Sequence, residues 1–154
     1  MSAQELIRRY GKGERDFSGI SLKDSPNLVA ADLRQSDLSS SDLSGANLVK
    51  VRLDGASLRA ADLRNAQLYE ATLRQADLRQ ADLTDANLLL AELQGADLTG
   101  AQVSDASLAA AYSLEGARLP DGTPYDREAQ ARLHEASLRQ ARASLEAHPR
   151  DEPP

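Results

Sequence analysis

The chain contains no cysteine and no tryptophan, one phenylalanine and four tyrosines. Without thiols it forms no disulfide and no thiolate metal site, which agrees with a reducing compartment. With so few aromatics, the core of a 154-residue chain must be filled by aliphatic side chains. No apolar run approaches the roughly 20 residues that cross a bilayer, and residues 1–10 lack the apolar stretch of a secretion signal. The expected location is cytoplasmic, with no membrane contact. Basic residues are in the minority: the formal net charge is −6, which disfavours non-specific binding to a nucleic-acid backbone. No glycine-rich phosphate-loop pattern occurs, and the two histidines, His134 and His148, both lie near the C-terminus.

What the chain has instead is an internal repeat. From Leu28 to Leu108 a bulky aliphatic residue recurs every five residues, 17 times in succession, with Val103 the one non-leucine. Two residues before each stands a small residue, Ala in 13 of the 17 cases, with Pro26, Ser36, Ser41 and Val51 as exceptions. Between them lies a polar residue, most often Asp, Asn or Ser, so the consensus reads A-(D/N)-L-x-x. On an α-helix a five-residue step rotates by about 140°, which scatters the leucines around the axis. On a strand an odd period sends alternate leucines to opposite faces. A path that runs extended for three residues and turns over the next two keeps Ala and Leu on one side throughout. Asp, Asn, Ser and Gly, common in the repeat, suit such turns.

This pattern resembles the pentapeptide-repeat family, from about Asp16 to Asp126. The flanking segments Gly13-Glu14-Arg15-Asp16-Phe17-Ser18-Gly19-Ile20 and Leu119-Pro120-Asp121-Gly122-Thr123 look like the edges of members from cyanobacteria. The resemblance implies an all-β, right-handed quadrilateral parallel β-helix. Four repeats make a 20-residue coil, with Leu and Ala inside and the other three positions outside. About five coils are expected, a rod of about 25 Å at the usual strand spacing. Two steps of six residues, Leu22 to Leu28 and Leu108 to Leu114, mark inserted corner residues.

A solenoid leaves its end coils open, and the termini read as covers. Ser2-Ala3-Gln4-Glu5 has a capping-box pattern leading into Leu6-Ile7-Arg8-Arg9-Tyr10, with Gly11 as a stop. At the other end Asp126 suits the N-cap of a helix running to about Ala147, rich in good helix formers. Ala131–Gln140 also fits the pentapeptide consensus, so further repeats are the competing reading there. The expected organisation is a helical N-terminal cap over 1–15, repeats over 16–126, and a C-terminal helix with a tail over 127–154.

Sorting outward residues by every twentieth position separates the faces. The face of Leu28, Leu48, Leu68, Leu88 and Leu108 carries the uncharged column Asn27, Asn47, Gln67, Asn87 and Ser107, which suits an amide ladder. After each leucine come Val29, Val49, Tyr69, Leu89 and Ala109, with Leu90 beside them. These positions point outward yet are apolar, as contact surfaces are. They suit a partner protein, a homodimer, or a berth for the C-terminal helix through Leu133, Leu138 and Leu145. Two further faces are acidic: Asp37, Asp77 and Asp97 in one column, with Ser57 among them, and Asp42, Asp62 and Asp82 in the next, which ends in Gln102. Arg34, Arg59, Arg64, Arg74 and Arg79 punctuate the early coils. Between Arg79 and Arg118 there is no basic residue.

No catalytic motif emerges. Ser137 beside a histidine lacks a nucleophile signature, and aspartate before leucine is the repeat consensus, so neither an enzyme nor a metal or cofactor site is expected. The expected role is a non-enzymatic, regulatory protein-interaction scaffold whose partner is another protein or a second copy, with no direct nucleic-acid contact. The alternative is a DNA mimic that binds a topoisomerase such as DNA gyrase, as some pentapeptide-repeat proteins do, with the acidic columns standing in for phosphates.

Overall fold

The computed structural model describes residues 1–22 and 26–147. Three helices occur among them: α1 (Ala3–Gly11), α2 (Asp105–Ala109) and α3 (Arg127–Ala147). Between α1 and α3 the chain winds as a repeat solenoid. Apart from one antiparallel bridge, Arg118 to Pro124, its β-structure consists of isolated parallel bridges between residues one coil apart. Four columns of bridges run along it. The first links Asn27, Asn47, Gln67 and Asn87, and the second Asp32, Arg52, Thr72, Glu92 and Ser113. The third links Asp16, Asp37, Ser57, Asp77, Asp97 and Arg118, and the fourth Ser21, Asp42, Asp62, Asp82 and Gln102. Each residue of these columns is the polar one that precedes the inward leucine, or Phe17 or Val103 in its place.

The bridges are short because the chain turns again before a strand can lengthen. At each corner the leucine carbonyl accepts a hydrogen bond from the residue three further on, as Leu48 does from the Val51 N–H at 3.1 Å. The third residue of that turn takes a positive φ, the signature of a type II turn. Gly45 and Gly55 supply it without cost, but Ala60 (56°), Gln75 (56°) and Leu90 (59°) do so as ordinary L-residues. Each such residue costs about 1–2 kcal/mol. The stack compensates locally: the Ala60 N–H bonds to the Arg79 carbonyl of the next coil at 2.9 Å.

Inside, leucine and alanine columns interlock, and Leu33, Leu53, Leu63, Leu68 and Leu73 have no exposed surface. Phe17 takes the leucine place in the first coil. The serine exceptions to the alanine rule are buried as well, and Ser36 and Ser41 donate their hydroxyls to the Leu33 and Leu38 carbonyls at 2.6 Å. A buried hydroxyl with a partner costs little, which is why the pattern tolerates serine there.

At the first end, Ser2 Oγ accepts from the Glu5 N–H at 3.2 Å and Leu6 is fully buried in the core cluster. The reciprocal arm of a capping box is replaced by a Glu5–Arg8 ion pair. The left-handed residue that ends the turn is Gly13 (φ 92°) rather than Gly11, which remains helical.

The second end corrects the sequence expectation. The uninterrupted run of corners stops at Val103, and residues 105–109 form the single helical turn α2, N-capped by Ser104, whose Oγ accepts from the Ser107 N–H at 3.1 Å. Leu108 is still buried, but by a helical route, and the bridge spacing lengthens to 21 residues from Glu92 to Ser113. The all-β expectation therefore fails in this coil, because Ser104 and Asp105 serve a helix start as well as a corner. Residues 127–147 form a helix and not further repeats. Asp126 Oδ1 accepts from the Ala129 N–H at 2.9 Å, the expected N-cap. Ala129 and Leu133 of α3 are buried, Arg132 approaches Asp105 of α2 at 3.7 Å, and residues 138–147 are exposed. No described helix is long and apolar enough to cross a membrane.

Candidate interaction surfaces

The residue after each inward leucine starts the turn and projects outward, so its chemistry is free of core constraints. Along the first column these residues are Val29 (45 % exposed), Val49 and Tyr69 (both half-buried) and Leu89 (47 % exposed). Leu90, at the following corner, is 41 % exposed. The five thus share one side of the rod. A polar edge runs beside them, where Lys50 pairs with Glu70 at 3.2 Å. A hydrogen bond to the Glu70 carboxylate raises the Tyr69 phenol pKa. The C-terminal helix does not cover this stripe: its Leu133 packs at the end of the stack, while Leu138 and Leu145 stay exposed. That berth, one of three uses expected for the stripe, is not the one the fold adopts. α3 leaves the last coil beside α2 and is held there by Ala129 and Leu133.

The amide column beneath the stripe forms a ladder only at one rung, where Asn87 Nδ2 donates to Gln67 Oε1 at 3.3 Å. Asn27, Asn47 and Asn87 instead accept from the backbone N–H two residues on, at 3.1–3.4 Å. These amides are spent on their own turns.

The same device organises the acidic columns. Asp37, Asp42 and Asp97 accept from both the N–H and the hydroxyl of Ser39, Ser44 and Thr99. Asp62 and Asp77 accept from the forked guanidiniums of Arg64 and Arg79, at 2.5–2.9 Å. Asp82 accepts from the Thr84 N–H at 3.0 Å, with Arg64 3.9 Å away. The Ser44 hydroxyl holds the Asp42 carboxyl below its ordinary pKa, and Arg64 and Arg79 do the same for Asp62 and Asp77. At Asp97 burial opposes ionisation, and the Thr99 hydroxyl and N–H outweigh it, lowering the pKa. Much of the hydrogen-bonding capacity of these carboxylates is thus already used.

The second column carries a feature that sorting the other three faces missed. An open groove of about 670 Å³ lies between α1 and the second column, lined by Tyr10, Arg15, Arg34, Arg52, Asp54 and Arg74, with Gly55 and Gln94 among its floor residues. The signal was in the sequence. Twenty-residue steps give Arg34, Asp54, Arg74 and Gln94, and beside them Gln35, Gly55, Gln75 and Gly95. The glycines leave room into which the glutamine of the coil before folds, and a Cβ on Gly55 would run into the Gln35 amide.

A second cleft, of about 510 Å³, opens between α2, α3 and the last coil, and His134 and Ser137 line it. Among the described residues no hydrogen bond joins these two side chains, and no cluster of His, Asp or Glu could hold a metal ion. His148 lies outside the described residues.

The family model for pentapeptide repeats matches the chain in eight copies, over residues 27–65, 61–100, 73–109 and 86–120. Among solved structures, the chain is similar to Rfr23, a pentapeptide repeat protein from the cyanobacterium Cyanothece 51142. The identity is 29 %, covering 80 % of this chain and 98 % of that one, with a TM-score of 0.55. It is also similar to alr5209, a pentapeptide repeat protein from Nostoc Pcc 7120, at 32 % identity over 88 % of this chain and 93 % of that one, with a TM-score of 0.29. A trypsin-treated form of QnrB1, a plasmid-mediated fluoroquinolone resistance protein, matches at 20 % identity over 84 % of this chain and 65 % of that one, with a TM-score of 0.49. No curated protein matches the chain.

Proposed function

The chain belongs to the pentapeptide repeat family, and from that premise we propose that it is a non-enzymatic scaffold that binds another protein through the stripe of Val29, Val49, Tyr69, Leu89 and Leu90. The observation that carries this reading is the exposure of Val29, Leu89 and Leu90, at 41–47 %, on a face where the residues after leucine are apolar, while on the other faces of the same run they are polar or charged. Exposed apolar surface lined along one side of a rigid rod gains free energy when a partner removes it from water. The coil backbone fixes the spacing of the five side chains, so little ordering cost falls on this side of an interface. A homodimer through the same stripe is the self-complementary version.

The fold supplies the frame. The solenoid of residues 16–126 is a right-handed, four-sided β-helix, α1 within residues 1–15 covers its first coil, and α3 within 127–154 covers its last. The buried Leu6, Ala129 and Leu133 support that assignment, since each removes apolar surface that an open end would expose. The acidic columns favour a partner-binding scaffold over a phosphate mimic. The carboxylates of Asp62 and Asp77 are already engaged by the guanidiniums of Arg64 and Arg79, so a DNA-binding cleft would meet charge pairs there and not bare anions.

The test is affinity capture by the wild type and by a Tyr69→Asp/Leu89→Asp variant, with sedimentation of each alone to read self-association. Both changes lie outside the core, so the melting temperature should hold. A specific partner, or a dimer, formed by the wild type should be lost by the variant. A variant that keeps the same partner and the same mass would show that the stripe is not the binding surface.

A further inference from the structure

The groove on the second column gathers four arginines on a chain whose net charge is −6, with Asp54 the one carboxylate in its lining. The arginines are posed, not merely near one another. Arg34 spends Nε and Nη2 on Asp32, at 2.9 and 2.7 Å, and Arg74 spends the same two nitrogens on Glu92, which leaves the Nη1 donors of each guanidinium unspent. Arg15 stacks on the Tyr10 ring with its guanidinium carbon 3.8 Å from the ring centroid. Its Nη1 is anchored by the Tyr10 and Glu14 carbonyls. Among the described residues Arg15 pairs with no carboxylate. Tyr10 is itself tied to the Arg34 carbonyl at 3.0 Å, so α1 and the first coils hold this edge as one unit. At the far end Gln94 Oε1 is buried and accepts no hydrogen bond. Buried acceptors are almost always satisfied, so Gln94, which lines the groove, has an acceptor left for a donor that enters it.

Asp54 is already engaged, its carboxylate accepting from the Thr72 hydroxyl at 2.9 Å and the Arg74 N–H at 3.1 Å. A ligand that answers the remaining groups carries anionic oxygens for the arginine donors and an N–H donor for Gln94. A polyphosphate backbone has the first and not the second. An extended peptide with acidic side chains has both. From the level of Arg15 to that of Gln94 the groove crosses about four coil steps of about 4.8 Å, which an extended chain spans in about six residues. We propose that this groove binds an acidic, extended segment of a partner protein, its carboxylates seated on Arg15, Arg34 and Arg74 and a backbone N–H turned to Gln94. The site lies on a different column from the apolar stripe and stands independently of it.

The test is fluorescence anisotropy at low ionic strength with a fluorescein-labelled hexapeptide of alternating Glu and Ala, on the full chain. Saturable binding is expected, with no binding of the Gln/Ala counterpart. Arg34→Gln with Arg74→Gln should weaken it at least about tenfold, the scale of losing charge-assisted bonds. Arg139→Gln with Arg142→Gln, which removes the same charge from α3, should change it less than about twofold, and Leu89→Asp should also bind nearly as the wild type does. Circular dichroism checks that the double variant still melts cooperatively; if it does not, Arg15→Gln, outside the ion-pair network, carries the test with an expected loss of at least about fivefold. No saturable binding by the wild type overturns the proposal. So does an equal loss in the α3 control or in Leu89→Asp, or a hexanucleotide that binds as tightly as the peptide.

Discussion

Replacing Leu68 by alanine tests the whole inward assignment. Leu68 has no exposed surface and stands at the middle of its column, between Leu48 and Leu88, with Ala66 beside it. A buried leucine cut to alanine loses about 2–5 kcal/mol, and the larger values belong to sites that cannot collapse into the space. Here the backbone on both sides is pinned, since Gln67 is bridged to Asn47 on one coil and Asn87 on the other. The cavity should therefore persist, and the loss should fall in the upper half of that range, at about 3–5 kcal/mol. For a chain of this size each kcal/mol lowers the melting temperature by about 2–4 °C, so a fall of about 6–20 °C is expected. Leu89 is the internal control. It lies on the same side of the rod, one coil further along, but is 47 % exposed, and its alanine variant should lose no more than about 1 kcal/mol. Thermal melts followed by far-UV circular dichroism read both. Equal shifts for the two variants, or a shift below about 2 °C for Leu68→Ala, would refute the assignment of the leucine columns to the interior.

The corner geometry makes a second prediction: Gly45 has φ +64° and nothing within 4 Å of the place a Cβ would take, so Gly45→Ala should cost about 1–2 kcal/mol from backbone strain alone, seen as a lower urea midpoint; an unchanged midpoint would mean the corner relaxes freely. Acid should unfold the protein in a defined window. The Arg34 guanidinium lowers the Asp32 pKa from 3.8 to about 2. A carboxylate depressed in the folded state stabilises above its unfolded pKa, and that contribution disappears as pH falls through the folded one. The melting temperature should thus hold above about pH 4 and drop between about 4 and 2, less steeply in Asp32→Asn; a profile flat down to pH 2 would contradict the pairing.

The leucine and alanine columns were legible because a five-residue period has no place on a regular helix or strand, so the pattern itself excludes the alternatives. The N-caps Ser2 and Asp126 were legible because capping is local chemistry between residues three apart. α2 was not. Ser104-Asp105-Ala106-Ser107-Leu108 satisfies the repeat consensus and a one-turn helix alike, and what separates them is the register of the coils on either side. The stop at Gly13 in place of Gly11 likewise depends on where Phe17 must land in the core. At 127–147 the two patterns compete in the sequence, and the fold takes the helix, with Ala129 and Leu133 buried in the core cluster.

Among surface residues, the columns of Val29, Val49, Tyr69 and Leu89 and of the aspartates follow from a twenty-residue step alone. What engages each aspartate does not, because Ser, Thr and Arg all occur two residues on and each gives the carboxylate a different partner. The groove needed more again: Tyr10 bonds to the Arg34 carbonyl, and Arg15 stacks on Tyr10, only once α1 is in place beside the coils.

Sequence by itself determined that this protein is a solenoid with an aliphatic interior and polar outward positions, since short-range periodicity dictates which side chains share a side. Tertiary structure decided which charges are neutralised, where the repeat gives way to helix, and which outward residues meet in a groove. Those outcomes depend on distances between segments twenty or more residues apart, and a local pattern does not encode them until the coils are stacked.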